Sequence, residues 1–439
     1  MVTPKEALEP RRSFDLVRHE IAQRRETGHD TAAIEERFAA VSVEDDETLA
    51  ALYRELLGLP PPTDWGYGEP SDLVSILASL PHDDGGAPRT VDDPADRILG
   101  GWLGRIVGCN LGKPVEAERW TSGLLRTYLE LAEAYPLLDY IPALDPMPDG
   151  FEFRESWPET TRGNIDGSAR DDDIDYSIMG LHLLETHGSA LTRGDAGRAW
   201  TSMLPYQQLY TAERAAYRNL VAGVPLDEVA TFENPYREWI GAQIRGDVFG
   251  WVHPGRPRRA AVVAFEDASL SHTANGIFGE MWVAALCAEA FVAETMPEAV
   301  AASLDHIPAR SRLAEAIGGV LELYRSGATW DDALAHIQER FGHYFIVHTV
   351  NNAAIVTAGL LWGDHDFASI VGLTVQGGWD TDSNGATAGS VAGVFLGSRQ
   401  IPDRFVEPLH DRVRSAVVGF DQSRISDLAE RTAALADRM

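Results

Sequence analysis

Apolar positions in this chain recur with the spacing of helices. Phe14, Leu16, Val17 and Ile21 fall on one side of a helical turn pattern, and residues 14–58 read as two or three amphipathic helices. A Pro/Gly-rich stretch, Leu59–Pro70, separates these from a short apolar helix near Leu73–Leu80. The Gly, Asp and Pro content of Pro81–Pro94 is that of a linker, so a boundary is placed there: a helical extension over 1–94 and a main domain over 95–439. From Ala95 onward helical patterning dominates and alternating strand-like runs are scarce, which predicts an all-α fold. Long polar and aromatic stretches at Tyr135–Arg170 and Asn234–Arg258 read as loops, and ordered loops of that length usually carry function.

Two segments break the ordinary helix pattern. Gly100, Gly104, Gly108 and Gly112 recur every four residues, as do Gly385, Gly389, Gly393 and Gly397. Positions four apart share a helix face, so each segment presents a bare groove. A mid-helix glycine costs about 1 kcal/mol relative to alanine, and close approach of another helix is the natural compensation. Antiparallel packing of the two segments would bring Glu116 beside Asp380 and Asp382.

Composition narrows the partners. The 439 residues carry a formal charge of −30, a field that repels nucleic acid and anionic membrane and concentrates cations. The N-terminus lacks an apolar signal segment, and the apolar runs around Met281–Ala288 and Ala353–Trp362 are too short to span a bilayer. Cys109 and Cys287 lie in apolar stretches without metal-ligand spacing and read as buried free thiols. A soluble, cytoplasmic protein is expected, with neither nucleic acid nor membrane as partner.

The candidate chemistry lies in two acidic clusters. Asp171, Asp172 and Asp173 lead into the helical pattern Ile174–Glu185, and Gly377–Ser383 (GGWDTDS) leads into another. Carboxylates at helix starts cap free amides and complement the dipole. Adjacent like charges exceed what capping needs, and a hard divalent cation with oxygen ligands relieves their repulsion. Spacing alone leaves capping and metal binding both open.

The order of these motifs resembles the ADP-ribosylglycohydrolase family. Gly104–Glu116 (GRIVGCNLGKPVE) is similar to the family's G-x-x-x-G-D-A-L-G-x-P-x-E opening, and Asp171–Asp173 to its T-D-D-T motif. His272, in Asp267–Gly279 (DASLSHTANGIFG), resembles its mid-chain histidine motif, and Gly377–Gly397 its G-x-D-T-D-T signature. The resemblance spans about residues 96 to 410 and implies a compact multi-helix domain with a binuclear Mg²⁺ site, Mn²⁺ being an alternative. It implies Asp171, Asp172, Asp173, Asp380, Asp382 and Ser383 as metal ligands, and Glu116 beside the metals and the scissile bond. The departures are Gly108-Cys109-Asn110-Leu111-Gly112, which lacks the opening motif's aspartate, and Asp171 and Ile174 in place of the T-D-D-T hydroxyls.

The implied reaction is hydrolysis of an N-glycosidic bond to ribose. An acidic pocket stabilises the oxocarbenium-like charge, and a carboxylate near the anomeric carbon takes a proton from water. That carboxylate is an aspartate of the 171–173 run or Glu116. His272, Asn275, Gly276, Gly378, Trp379 and Tyr236 are candidate substrate contacts; Trp239 and Trp251 are further aromatic candidates for stacking on a base, or for the core. Arg170 pairs with the acids or meets a substrate anion. The substrate is a small ribosyl compound or an ADP-ribosylated protein. A small nucleoside or another N-riboside, and a non-catalytic ADP-ribose- or nucleotide-binding scaffold, are the alternatives.

Overall fold

The structure, a computed structural model, describes residues 12–82 and 91–439. Most of the expected linker, and the charged N-terminus before Arg12, lie outside the described residues. The fold is all-α: among the described residues the one sheet is the antiparallel pair Arg412–Val413 and Ser423–Arg424. The helices that build the core and the site are α1 (Arg12–Glu26), α2 (Ala32–Phe38), α3 (Asp46–Leu57), α4 (Pro94–Gly112), α5 (Asp172–His187) and α6 (Pro257–Ala268). They continue with α7 (Ala274–Ala290), α8 (Arg312–Arg325), α9 (Thr349–Trp362), α10 (Phe367–Gln376), α11 (Thr381–Leu396) and α12 (Ile425–Ala436).

Helices α4 and α11 form the centre. A Cβ added to Gly104 would lie 2.0 Å from the Gly389 carbonyl oxygen, on Gly108 1.8 Å from that of Gly385, and on Gly100 2.1 Å from that of Gly393. One partner's number rises as the other's falls, so the pair is antiparallel, and the bare faces let two backbones touch where any side chain would collide. The fourth pairing is Gly112 with Thr381 rather than Gly397, and the Thr381 hydroxyl donates to the Gly112 carbonyl at 2.9 Å. Gly397 itself lies beyond the helix, at φ +87° against the Asp96 carboxylate.

The opposite sides of these helices are apolar. Trp102, Ile106 and Val107 of α4 are buried, as are Val391 and Val394 of α11, and the Trp102 indole meets Trp251 at 4.9 Å between ring centroids. Trp251 is therefore a core residue. Its segment is not the loop that its Gly, Pro and Arg content suggests. Residues Asp247–Trp251 form a short helix; Gly246, just before it, and Gly250 within it press on the α7 backbone, with added Cβ atoms 2.6 Å from the Glu280 and 2.5 Å from the Ala284 carbonyl oxygens. There glycine marks helix contact and not chain reversal.

Helices α1–α3 bury a small core of their own from Val17, Ile21, Ile34, Leu49, Leu52 and Leu56, whereas Ile76 and Leu80 belong to the large core. Polar ties join α1 to the main body: Arg237 binds Glu20 at 2.8 Å, and Gln23 donates to Glu238 at 2.7 Å.

Candidate active site

The central helix pair carries its acids to one end. Helix α4 runs out through a 3₁₀ turn, Lys113–Val115, into Glu116, while α11 begins at Asp380. One carboxylate oxygen each from Glu116, Asp380 and Asp382 lie within 4.8 Å of one another. Just before Asp380 the chain turns through Gly378 and Trp379, both left-handed at φ +82° and +62°. A bulky aromatic residue rarely takes that conformation, and such strain tends to sit where function demands it.

The third part of the site is the start of α5. Asp171 caps this helix, accepting the Asp173 amide at 2.9 Å. Its other oxygen pairs with Lys113. Asp173 accepts from the Ser383 hydroxyl at 3.1 Å, which links α5 to α11 across 210 residues of chain. Arg105, fully buried in α4, donates to the Asp173 carbonyl at 2.6 Å and lies 3.3 Å from its carboxylate, with Asp247 2.7 Å away on the far side. Asp172 is half-buried and takes no side-chain hydrogen bond among the described residues. Asp175 turns elsewhere: Arg170 binds it at 2.7 Å, and the Ser415 hydroxyl and Ala416 amide at 2.6 and 2.9 Å. Arg170 thus has the structural pairing.

Burial pushes Glu116, Asp173 and Asp380 well above the usual carboxylate range. Mutual repulsion with Asp382 adds to this for Glu116 and Asp380; for Asp173 burial outweighs the opposing pull of Arg105, and Asp382 and Asp172 add smaller upward pushes. Burial raises Asp172 to about 6, against the pull of Arg170 and Lys113. Carboxylates so held at short range, with few donors between them, fit a hard cation, which removes the repulsion and reverses the shifts.

The other expected contacts separate from this cluster. Asn275 spends both amide hydrogens on Glu69 and Glu238, at 2.8 and 2.9 Å, and accepts the Leu313 amide at 3.0 Å. Gly276 packs against the Arg237 carbonyl and His272. His272 is buried, shares a hydrogen bond with Ser271 at 2.8 Å, and is held neutral by burial and by Arg245. Tyr236 lines a cavity of about 400 Å³ with His19 and Trp239, and Trp239 stacks on Phe345 at 4.6 Å. Leu16 lines that same cavity instead of joining the small core of α1–α3. Gly377 and Trp379 line another cavity, of about 390 Å³, with Trp120, Ser122 and Ile346.

A model of the ADP-ribosylglycohydrolase family matches residues 90–439. The chain belongs to the ADP-ribosylglycohydrolase family. A solved structure described as an ADP-ribosylglycohydrolase-related protein complex is similar at 21% identity over 79% of this chain and 98% of that one, with a TM-score of 0.43. No curated protein matches the sequence.

Membership of the ADP-ribosylglycohydrolases supports a glycohydrolase-type function, and the departures from the family's motifs have visible consequences here. Asn110, where the opening motif has aspartate, donates to the Ser168 hydroxyl at 2.9 Å and accepts the Ala169 amide at 3.2 Å. It thereby fixes the segment that leads into Asp171. Arg105 and Lys113 went unnoticed in the sequence, as did Arg245. The signal was available: Arg105 and Arg245 each interrupt an apolar run, and a buried guanidinium requires carboxylates around it. Arg245 finds Asp267 at 2.5 Å and Glu213 at 2.7 Å.

Proposed function

We propose that the protein hydrolyses an N-glycosidic bond to ribose in an ADP-ribosyl compound or ADP-ribosylated protein, with a divalent cation, Mg²⁺ or Mn²⁺, held by Glu116, Asp380 and Asp382. The observation that carries this reading is the convergence of those three carboxylates at the end of the glycine-faced helix pair. When bound, the cation orients ribose hydroxyls and acidifies water.

The chain's own residues supply the rest. The acidic surroundings favour the positive charge that develops on the sugar ring. Asp171 and Asp173 are engaged by Lys113, Arg105 and Ser383, so the proton from the attacking water falls to Asp172 or Glu116. Trp379, fixed in its left-handed conformation beside Asp380, forms a wall on which the substrate packs.

The test is incubation with ADP-ribosyl-arginine, ADP-ribosyl-serine and a panel of nucleosides, in Mg²⁺ and in EDTA. Release of ADP-ribose that EDTA abolishes is expected. Free base plus ribose would move the substrate to nucleosides, and no turnover of any member, with or without metal, would contradict the reading.

A further inference from the structure

The converging acids fall into two groups that differ in what already holds them. Around Glu116, Asp380 and Asp382 the protein donors are few: the Arg154 guanidinium lies 3.3 Å from Glu116, and the Ser383 amide donates to Asp382 at 2.9 Å. The Asp380 carboxylate makes no cap to its own helix. The second group is Cys109, Asp171 and Asp173. Here every carboxylate oxygen has a partner: the Asp173 amide and Lys113 on Asp171, Arg105 and the Ser383 hydroxyl on Asp173. A hard cation such as Mg²⁺ or Mn²⁺ prefers oxygen ligands to the Cys109 thiol.

Lys113 is placed for this by its local structure. It opens the 3₁₀ turn that leads into Glu116, its side chain is 17% exposed, and it is one of two lysines in a chain otherwise basic through arginine. Its ammonium is a compact point charge with three donors, the protein group closest in kind to a small cation.

We propose that Lys113 takes the place of a second metal ion, so that this chain binds one divalent cation, at Glu116, Asp380 and Asp382. The inference rests on the metal-dependent reading above and departs from the two ions that the family resemblance implies. A second divalent ion at Asp171 and Asp173 would meet the repulsion of this ammonium and find their carboxylate oxygens already partnered, with Asp172 alone of the run left to offset it.

Native mass spectrometry and electron paramagnetic resonance of the full chain titrated with Mn²⁺ provide the test. Wild type is expected to bind one equivalent and to give the spectrum of an isolated ion. Lys113→Met keeps the stem and removes the charge, and it is expected to bind two equivalents with spin coupling; Lys113→Arg stays at one. Two coupled ions in wild type would overturn the inference and leave the metal-dependent reading standing, and this count holds even if a variant fails to fold. A folded Lys113→Met that still binds one ion also overturns it. No ion in wild type overturns the inference and the metal-dependent reading together.

Discussion

Asp382 stands where the two acid groups meet: it lies against Glu116 and Asp380, and its repulsion reaches Asp173. Asp382→Asn is therefore expected to abolish the rise in melting temperature that Mg²⁺ or Mn²⁺ produces by binding the folded state, as read by thermal shift. An unchanged metal response would place the cation elsewhere. Arg105 works from behind. It is fully buried between Asp173 and Asp247, so Arg105→Met strands both carboxylates, and a loss of about 3–5 kcal/mol is expected in urea unfolding. Lysine would not restore it, because the guanidinium reaches the Asp173 and Ile244 carbonyls as well as both acids.

At the scale of elements, the two glycine-faced helices decide the geometry of the site. Gly108→Ala puts a methyl carbon 1.8 Å from a backbone carbonyl oxygen that cannot move without parting α4 from α11. A destabilisation of about 1–3 kcal/mol or more is expected, together with weakened metal binding, because Glu116 and Asp380 extend from these helices. Gly319 is the control: in α8 nothing lies within 4 Å of an added Cβ, so Gly319→Ala should stabilise by up to about 1 kcal/mol in the same unfolding experiment. Equal effects at the two positions would show that the helices do not touch through their glycines. This contact was legible in the sequence because four-residue spacing is a geometric signature, and with it came the meeting of Glu116, Asp380 and Asp382. Arg105 was legible as a buried charge in need of carboxylates, but which carboxylates the cations meet was not. Nothing local in Gly104–Glu116 says that Arg105 and Lys113 turn toward acids some 60 residues away, since that depends on how α5 docks. The Asp247–Trp251 helix was hidden for a related reason, its glycines serving contact with α7.

For the whole molecule, the extension is held by a buried polar junction. Arg312 binds Glu69 at 2.9 Å and Glu238 at 2.6 Å, and Asn275 joins the same two acids. Asn275, expected as a substrate contact, spends its amide hydrogens on Glu69 and Glu238 in this junction. Next to this junction, burial and the nearby Glu238 carboxylate push Glu26 up to about 8. The folded state therefore keeps a proton on Glu26 that the unfolded chain releases near its ordinary value of 4.5. Between these two values the folded state holds a proton that the unfolded state has lost, so this group's contribution to stability falls as pH rises through that window and levels off above it. Wild type is expected to lose more stability than Glu26→Gln between pH 5 and pH 8 in denaturant titrations. Parallel curves for the two proteins would show that Glu26 is ionised throughout. Among the described residues no helix is long and apolar enough to cross a membrane.

The convergence of Glu116, Asp380 and Asp382 on a divalent cation is tested most directly by a crystal structure of the full chain grown with Mn²⁺, with anomalous scattering recorded. The expected result is an anomalous peak bonded to carboxylate oxygens of all three residues. A well-ordered structure with no peak among those side chains, or with the side chains turned apart, would contradict it.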